Sequence, residues 1–214
     1  MKDLIIVGGG GMARKIIAKL RKINRLNPVW TIKGVLDDNP HCLDGLSLEV
    51  PWIDSIKDYQ PQEGDHFVLG VSDPRLKEVL AKIMKAKGVH FETLLGPEVD
   101  LGDHVTFGEG CIIFTPHVID SGAAFGDFVT VMGATISFDA VIGDYCTLTG
   151  FANTTTATLG KRVYVGSHAV VLEGLNVGDD AYIGAGSIVL HDVAPGDRVF
   201  GVPARCVGKI PPKP

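Results

Sequence analysis

Between Leu101 and Val189 the chain reads LGDHVTFGEGCIIFTPHVIDSGAAFGDFVTVMGATISFDAVIGDYCTLTGFANTTTATLGKRVYVGSHAVVLEGLNVGDDAYIGAGSIV. An aliphatic or aromatic residue followed by glycine recurs on a six-residue beat: Leu101-Gly102, Phe107-Gly108, Phe125-Gly126, Ile142-Gly143, Leu159-Gly160, Val165-Gly166, Val177-Gly178, Ile183-Gly184. Where the glycine is missing, Ile113, Ile119, Val131, Ile136, Leu148, Val171 and Val189 keep the phase. One-residue slips fall between Val131 and Ile136 and between Leu148 and Leu159. A six-residue unit is too short to bury its own apolar side and must stack on copies of itself, so the repeat predicts a solenoid with three units to a coil. The repeating residue points into a narrow prism, and the glycine after it keeps a Cβ out of the tight corner. The phase predicts a continuous ladder Phe125, Ile142, Leu159, Val177, each side chain contributing roughly 1.5–3 kcal/mol on burial. An ordinary β-sandwich does not hold a phase of six over so long a stretch.

Upstream of Gly96 the chain changes character, with more charged residues and no beat, and two domains, 1–96 and 97–214, are expected. Leu4-Ile5-Ile6-Val7 reads as a parallel strand buried on both faces, and a helix follows over Met12 to Lys22. Between them Gly8-Gly9-Gly10-Gly11-Met12-Ala13 is a variant of the glycine turn that lets a backbone approach phosphates at a helix N-terminus. The same residues also make a tight strand-to-helix turn that holds no ligand. A second strand, Trp30 to Leu36, ends at Asp37-Asp38, either a carboxylate presented to a ribose or a solvated Asp-Asp-Asn-Pro turn. A third strand, His66 to Val71, leads into a helix over Leu76 to Lys87, and a short strand, Phe91 to Leu95, enters the first coil. Three or four parallel strands make half of a doubly wound domain, which suits a nucleotide or nucleotide-sugar better than a dinucleotide.

The net charge of −5 carries no basic cluster, so nucleic acid is not expected as a partner. Cys42, Cys111, Cys146 and Cys206 have neither disulfide-framework nor zinc-finger spacing, and no metal is expected. The apolar run Leu4 to Val7 is too short for a signal sequence or a membrane span, so a cytoplasmic protein is expected. After Val189, prolines and glycines abandon the beat, and a C-terminal extension ends in the loose tail Pro211-Pro212-Lys213-Pro214.

Taken in order, the GGGGMAR loop, VLDDNP, VLGVSDPR, the hexapeptide coils, VGSHAVV, IGAGSIVLHDV and GVPAR resemble the left-handed β-helix acyltransferases of the sialic acid O-acetyltransferase and nucleotide-sugar N-acetyltransferase type. The resemblance covers nearly the whole chain. It implies an α/β Rossmann-like N-terminal subdomain followed by a left-handed parallel β-helix, assembled as a homotrimer. It also implies acetyl-CoA as co-substrate in the cleft between neighbouring prisms and a nucleotide-sugar on the N-terminal domain. By the family's pattern, CoA touches Ser167 and Ala185, and the nucleotide touches Gly8, Gly10, Gly11 and Asp37. The family's catalytic histidine-acid pair is here Phe138-Asp139, and two further positions where relatives often carry histidine read Met12 and Thr147. The coil from Gly143 to Gly160 is a residue short, with Thr154-Thr155-Thr156 where relatives tend to have a glycine that donates to the thioester oxygen.

A phenyl ring accepts no proton, whereas a positioned histidine supplies about 10²–10⁴-fold of an acyl-transfer rate. Of the histidines on coils near the expected site, His168 directly follows Ser167, while His117 is one coil away and around a corner from Phe138. His168 is therefore the candidate base, reaching the cleft from one subunit while Phe138 and Asp139 line it from the next. Asp139 is the second candidate catalytic residue, and an amine that arrives neutral needs less help from a base than a hydroxyl does. Two other readings stand beside the transferase: a nucleotide-sugar-binding or regulatory trimer that has lost catalysis, and an acyltransferase for another small molecule.

Overall fold

The computed structural model describes residues 1–115 and 118–211, and the chain divides into two compact units, Met1–Thr93 and Leu94–Pro214. The first contains β1 (Lys2–Val7), α1 (Gly11–Leu26), β2 (Trp30–Leu36), β3 (Trp52–Asp54), β4 (Asp65–Leu69) and α2 (Pro74–Lys85). The four strands are parallel, in the order β3-β2-β1-β4. Leu4 to Val7 are fully buried, as a central parallel strand requires. α1 buries Met12, Ala13, Ile16, Ile17 and Leu20, a stripe of period 3.6. Because β1 has β2 on one side and β4 on the other, the winding reverses at β1 and opens a crevice at its carboxyl end.

Two elements depart from the sequence expectation by more than their end residues. β3 is three residues long, too short to show a period, and was not anticipated. The expected strand Phe91 to Leu95 is split: Phe91 makes a single bridge to Phe67, whereas Leu94 and Leu95 pair with Ile112 and Ile113 as the first rung of the solenoid.

The second unit is a three-faced parallel solenoid. On its first face Leu95, Ile113, Val131, Leu148, Val165, Ile183 and Val199 are in register. The second face aligns Leu101, Ile119, Ile136, Thr154, Val171 and Val189. The third aligns Phe107 with the expected ladder Phe125, Ile142, Leu159 and Val177. The strand Asp197–Phe200 closes the first face and carries an antiparallel edge strand, Arg205–Lys209. The two slips are shortened corners. Met132-Gly133-Ala134 is one, and Thr155-Thr156-Ala157 is the other.

Most corners are turned by one residue in the left-handed region. Between first and second faces these are Gly133, Phe151, His168 and Gly186; between second and third, His104, Gly122, Asp139 and Gly174; between third and first, Gly110, Phe128, Tyr145, Arg162, Asp180 and Gly196. The shortened corner Thr155-Thr156-Ala157 has none.

Thr154 is the one polar side chain on the inward ladder of the second face. It is fully buried, and its Oγ1 has no hydrogen-bond partner, whereas the neighbouring Thr155 hydroxyl donates to the Val171 carbonyl at 2.8 Å. An unsatisfied buried hydroxyl costs about 1–3 kcal/mol. Thr154→Val, of nearly equal volume, is expected to raise the denaturant midpoint by a corresponding amount; a lower midpoint would show that the hydroxyl is held by a bond.

Candidate functional site

The first group of residues lies at the carboxyl end of β1. Gly8 sits at φ +99°, and a Cβ there would press on Val71 Cγ1 at 2.7 Å. Opposite it, a Cβ on Gly70 would stand 2.5 Å from the Gly8 carbonyl oxygen, so the two chain segments meet only because both are glycine. Gly9 donates its N–H to Asp37 Oδ2 at 2.6 Å, and Asn39 N–H donates to Asp37 Oδ1 at 2.9 Å. The carboxylate at the end of β2 thus fixes the glycine loop, and the second lone pair of each oxygen stays open to a hydroxyl. Gly10 is the N-cap of α1 and gives no side-chain cap. A Cβ at Gly10 would meet nothing within 4 Å, and one at Gly11 only Arg14 at 3.6 Å. The uncapped first turn of α1 therefore faces open space with unspent N–H groups, an arrangement that favours an anion.

Two residues around this loop were not singled out by sequence. Cys42 packs directly on Gly9; burial first, then the Asp37 carboxylate, pushes its thiol pKa up and keeps it neutral. Trp52, from the unanticipated β3, donates its indole N–H to the Asp37 carbonyl at 2.8 Å. Both contacts are long-range in sequence, and neither residue type signals them.

The second group lies on the corners of the solenoid, which differ in how their outward N–H groups are satisfied. Between third and first faces, an aspartate of the next coil accepts three of them: Glu109 N–H to Asp127 Oδ1 at 2.9 Å, Asp127 N–H to Asp144 Oδ1 at 3.1 Å, Lys161 N–H to Asp179 Oδ1 at 2.8 Å, while the Asp144 and Asp179 N–H groups have no acceptor among the described residues. Ion pairs complete that corner. Arg162 pairs with Asp180 at 2.7 Å and Lys161 with Asp144 at 2.8 Å. Burial raises the Asp144 pKa, but the Lys161 ammonium and the Asp127 N–H outweigh it and the net shift is downward.

The corner between first and second faces has no such acceptors. Ser167 and Ala185 occupy equivalent places in successive coils, as the hydrogen bond from Gly186 N–H to the Ser167 carbonyl shows. Among the described residues, nothing accepts the main-chain N–H of either Ser167 or Ala185. Ser167 Oγ donates to Thr149 Oγ1 at 3.2 Å, and Ala185 and Gly186 are exposed. The result is an open row of donors on one edge.

His168 is on the same edge, exposed, with φ +59°. Its ring stacks on Phe151 of the preceding coil at 4.9 Å and 19°, which fixes its orientation. Bulky side chains in the left-handed region are uncommon, and here two follow one another on a corner that glycine turns in other coils.

Phe138 and Asp139 are on the other edge of the second face. The Phe138 ring is 56 % exposed, and Asp139, at φ +53°, rests its carboxylate over Gly122, where any Cβ would displace it. Ile136, beside Asp139, is two rungs from Val171, beside His168, about 10 Å along the axis. One chain alone does not bring His168 to Asp139. On the coil after Asp139 lies the shortened corner, where the Thr156 N–H makes no hydrogen bond among the described residues. His117 lies outside the described residues. Among those that are described, no group of three or more His, Cys, Asp or Glu is arranged to hold a metal, and no helix is long and apolar enough to cross a membrane.

No family model matches the sequence, and no curated protein does. Solved structures do. PerB from Caulobacter crescentus, in complex with CoA and GDP-perosamine, matches with a TM-score of 0.86 at 24% identity over 97% of this chain and 98% of that one. The acetyltransferase domain of PglB from Neisseria gonorrhoeae gives 0.84 at 22% identity, over 97% and 100%. WeeI from Acinetobacter baumannii also gives 0.84 at 22% identity, over 97% and 100%. The fold is therefore an α/β Rossmann-like unit followed by a left-handed parallel β-helix.

The packing of Cys42 on Gly9 is open to direct test. Gly9→Ala places a Cβ against Cys42 Sγ and within 2.8 Å of Cys42 Cβ, and such overpacking costs about 1–3 kcal/mol. A lower unfolding midpoint is expected, recovered in large part by Cys42→Gly in the same chain. An unchanged midpoint for Gly9→Ala alone would contradict this packing.

Proposed function

We propose that this chain is an acyl-CoA-dependent transferase, with acetyl-CoA as donor, acting on the amino group or hydroxyl of a nucleotide-activated sugar in bacterial glycan synthesis. The observation that carries the reading is the open row of main-chain donors at Ser167 and Ala185, on a solenoid whose third-to-first corner has three of its equivalent donors capped by aspartates. Such a row suits a flexible ligand rich in carbonyls, and small exposed side chains leave it reachable. PerB, which shares the fold along nearly its whole length, binds CoA and GDP-perosamine.

In this reading residues 1–96 form the nucleotide-sugar-binding domain and 97–214 the acyltransferase domain with its C-terminal extension. Gly8 gives the close approach, Gly10 and Gly11 leave the first-turn N–H groups of α1 open to phosphate, and Asp37 accepts from a ribose hydroxyl. CoA supplies the acyl group as an activated thioester. Asp139 orients the acceptor amine, and the Thr156 N–H is placed to stabilise developing negative charge on a carbonyl oxygen. His168 takes the amine proton. Since Asp139 and His168 of one chain are on opposite edges of a face, the reading requires a second copy, and a homotrimer supplies it. The cytoplasm, where acyl-CoA and nucleotide-sugars are made, is the compartment it requires.

A second reading, a nucleotide-sugar-binding trimer without catalysis, is favoured by Phe138, whose exposed ring stands where the family carries its base. Steady-state kinetics separate the two. With acetyl-CoA and a panel of nucleotide-linked amino sugars, His168→Ala is expected to lose about 10²–10⁴-fold in kcat with the KM for acetyl-CoA nearly unchanged. Turnover like the wild type would remove His168 and leave transfer to a neutral amine without a protein base. No turnover by the wild type would favour the binding protein.

A further inference from the structure

Trp52 is the largest apolar side chain with substantial exposure near the glycine loop, at 36 %. β3 is the edge strand, and Trp52 pairs with Val35, two residues before Asp37. The ring is not loose. Its indole N–H is held by the Asp37 carbonyl at 2.8 Å, while the Asp37 carboxylate holds the Gly9 N–H at 2.6 Å. A single residue therefore links the exposed indole to the loop. Since Trp52 Nε1 already has its acceptor, what the side chain offers to a ligand is its π surface.

We infer that Trp52 is the stacking platform for the nucleobase of the ligand held at Gly8 to Gly11. This rests on the nucleotide reading of that loop and adds the side of the crevice on which the base lies, toward β3 and away from β4. Phosphates at the N-terminus of α1, ribose over the Asp37 carboxylate and base on the indole follow one another in the order of a nucleotide's own bonds. Stacking accepts any base, because every base has a π face, so Trp52 confers preference for nucleotides over simple phosphates and little choice among bases.

The chain has two tryptophans, and the other, Trp30, starts β2 and packs edge-on against His66 with Lys2 over its ring. It is five residues before Val35 on the same strand, about 16 Å from the Trp52 end. A Trp30→Phe chain thus reports on Trp52 alone. Titrated with ADP, GDP, UDP and pyrophosphate, its fluorescence should be quenched by the three nucleotides and not by pyrophosphate.

By calorimetry, Trp52→Ala should bind the nucleotides between about fivefold and a hundredfold more weakly, with pyrophosphate affinity unchanged as proof of an intact loop. Trp52→Phe, which keeps a ring, should lose only a small part of the affinity. Nucleotide binding by Trp52→Ala equal to the wild type would overturn the platform and leave the nucleotide reading standing. No nucleotide binding by the wild type would overturn both.

Discussion

Each coil of the solenoid has to turn three corners while keeping a side chain of each face pointing inward, and the corners are where this is hardest. Most corners use a left-handed residue, and they leave a main-chain N–H facing outward that the strands cannot satisfy. On the corner between third and first faces aspartates of the next coil accept three of these groups, at Asp127, Asp144 and Asp179. On the corner carrying Ser167 and Ala185 nothing among the described residues accepts those two groups. The same architectural demand therefore yields one edge largely capped by side chains and one edge whose adjacent donors at Ser167 and Ala185 stay open, and the difference is made by side chains rather than by the path of the chain.

The residues that turn the open edge also bear on chemistry. Gly133 and Gly186 adopt the left-handed conformation without steric cost, but between them the chain uses Phe151 and His168. An L-residue there loses about 1–2 kcal/mol, offset in part by the stacked rings. On the opposite edge Asp139 sits over Gly122, and the loss of one residue in the following coil removes a left-handed turn and leaves the Thr156 N–H unspent. Phe138, where the resemblance leads to an expectation of histidine, is thus accompanied by a changed corner beside it.

Much of this was legible in the sequence. The beat of six fixed which residues point inward, and both one-residue slips appear as shortened corners where the phase moved. Leu4 to Val7 and the glycines after them placed β1, α1 and the loop. β3 was missed because three residues carry no period, and with it went Trp52 and the indole bond to Asp37. Thr154 was left out of the inward ladder because it breaks the apolar phase. Cys42 on Gly9 and the uncapped row at Ser167 and Ala185 depend on residues brought together from distant or successive segments, and no local pattern announces which N–H groups remain unpaired.

The central claim is that the uncapped corner is the path of the acyl donor. A crystal structure of the protein with CoA and a nucleotide-linked amino sugar tests it most directly. The account predicts CoA along the edge of Ser167 and Ala185, its carbonyls accepting from those two N–H groups, with His168 of one copy and Asp139 of another at the acceptor nitrogen. CoA bound on the aspartate-capped corner, or with the Ser167 and Ala185 N–H groups still in solvent, would contradict it.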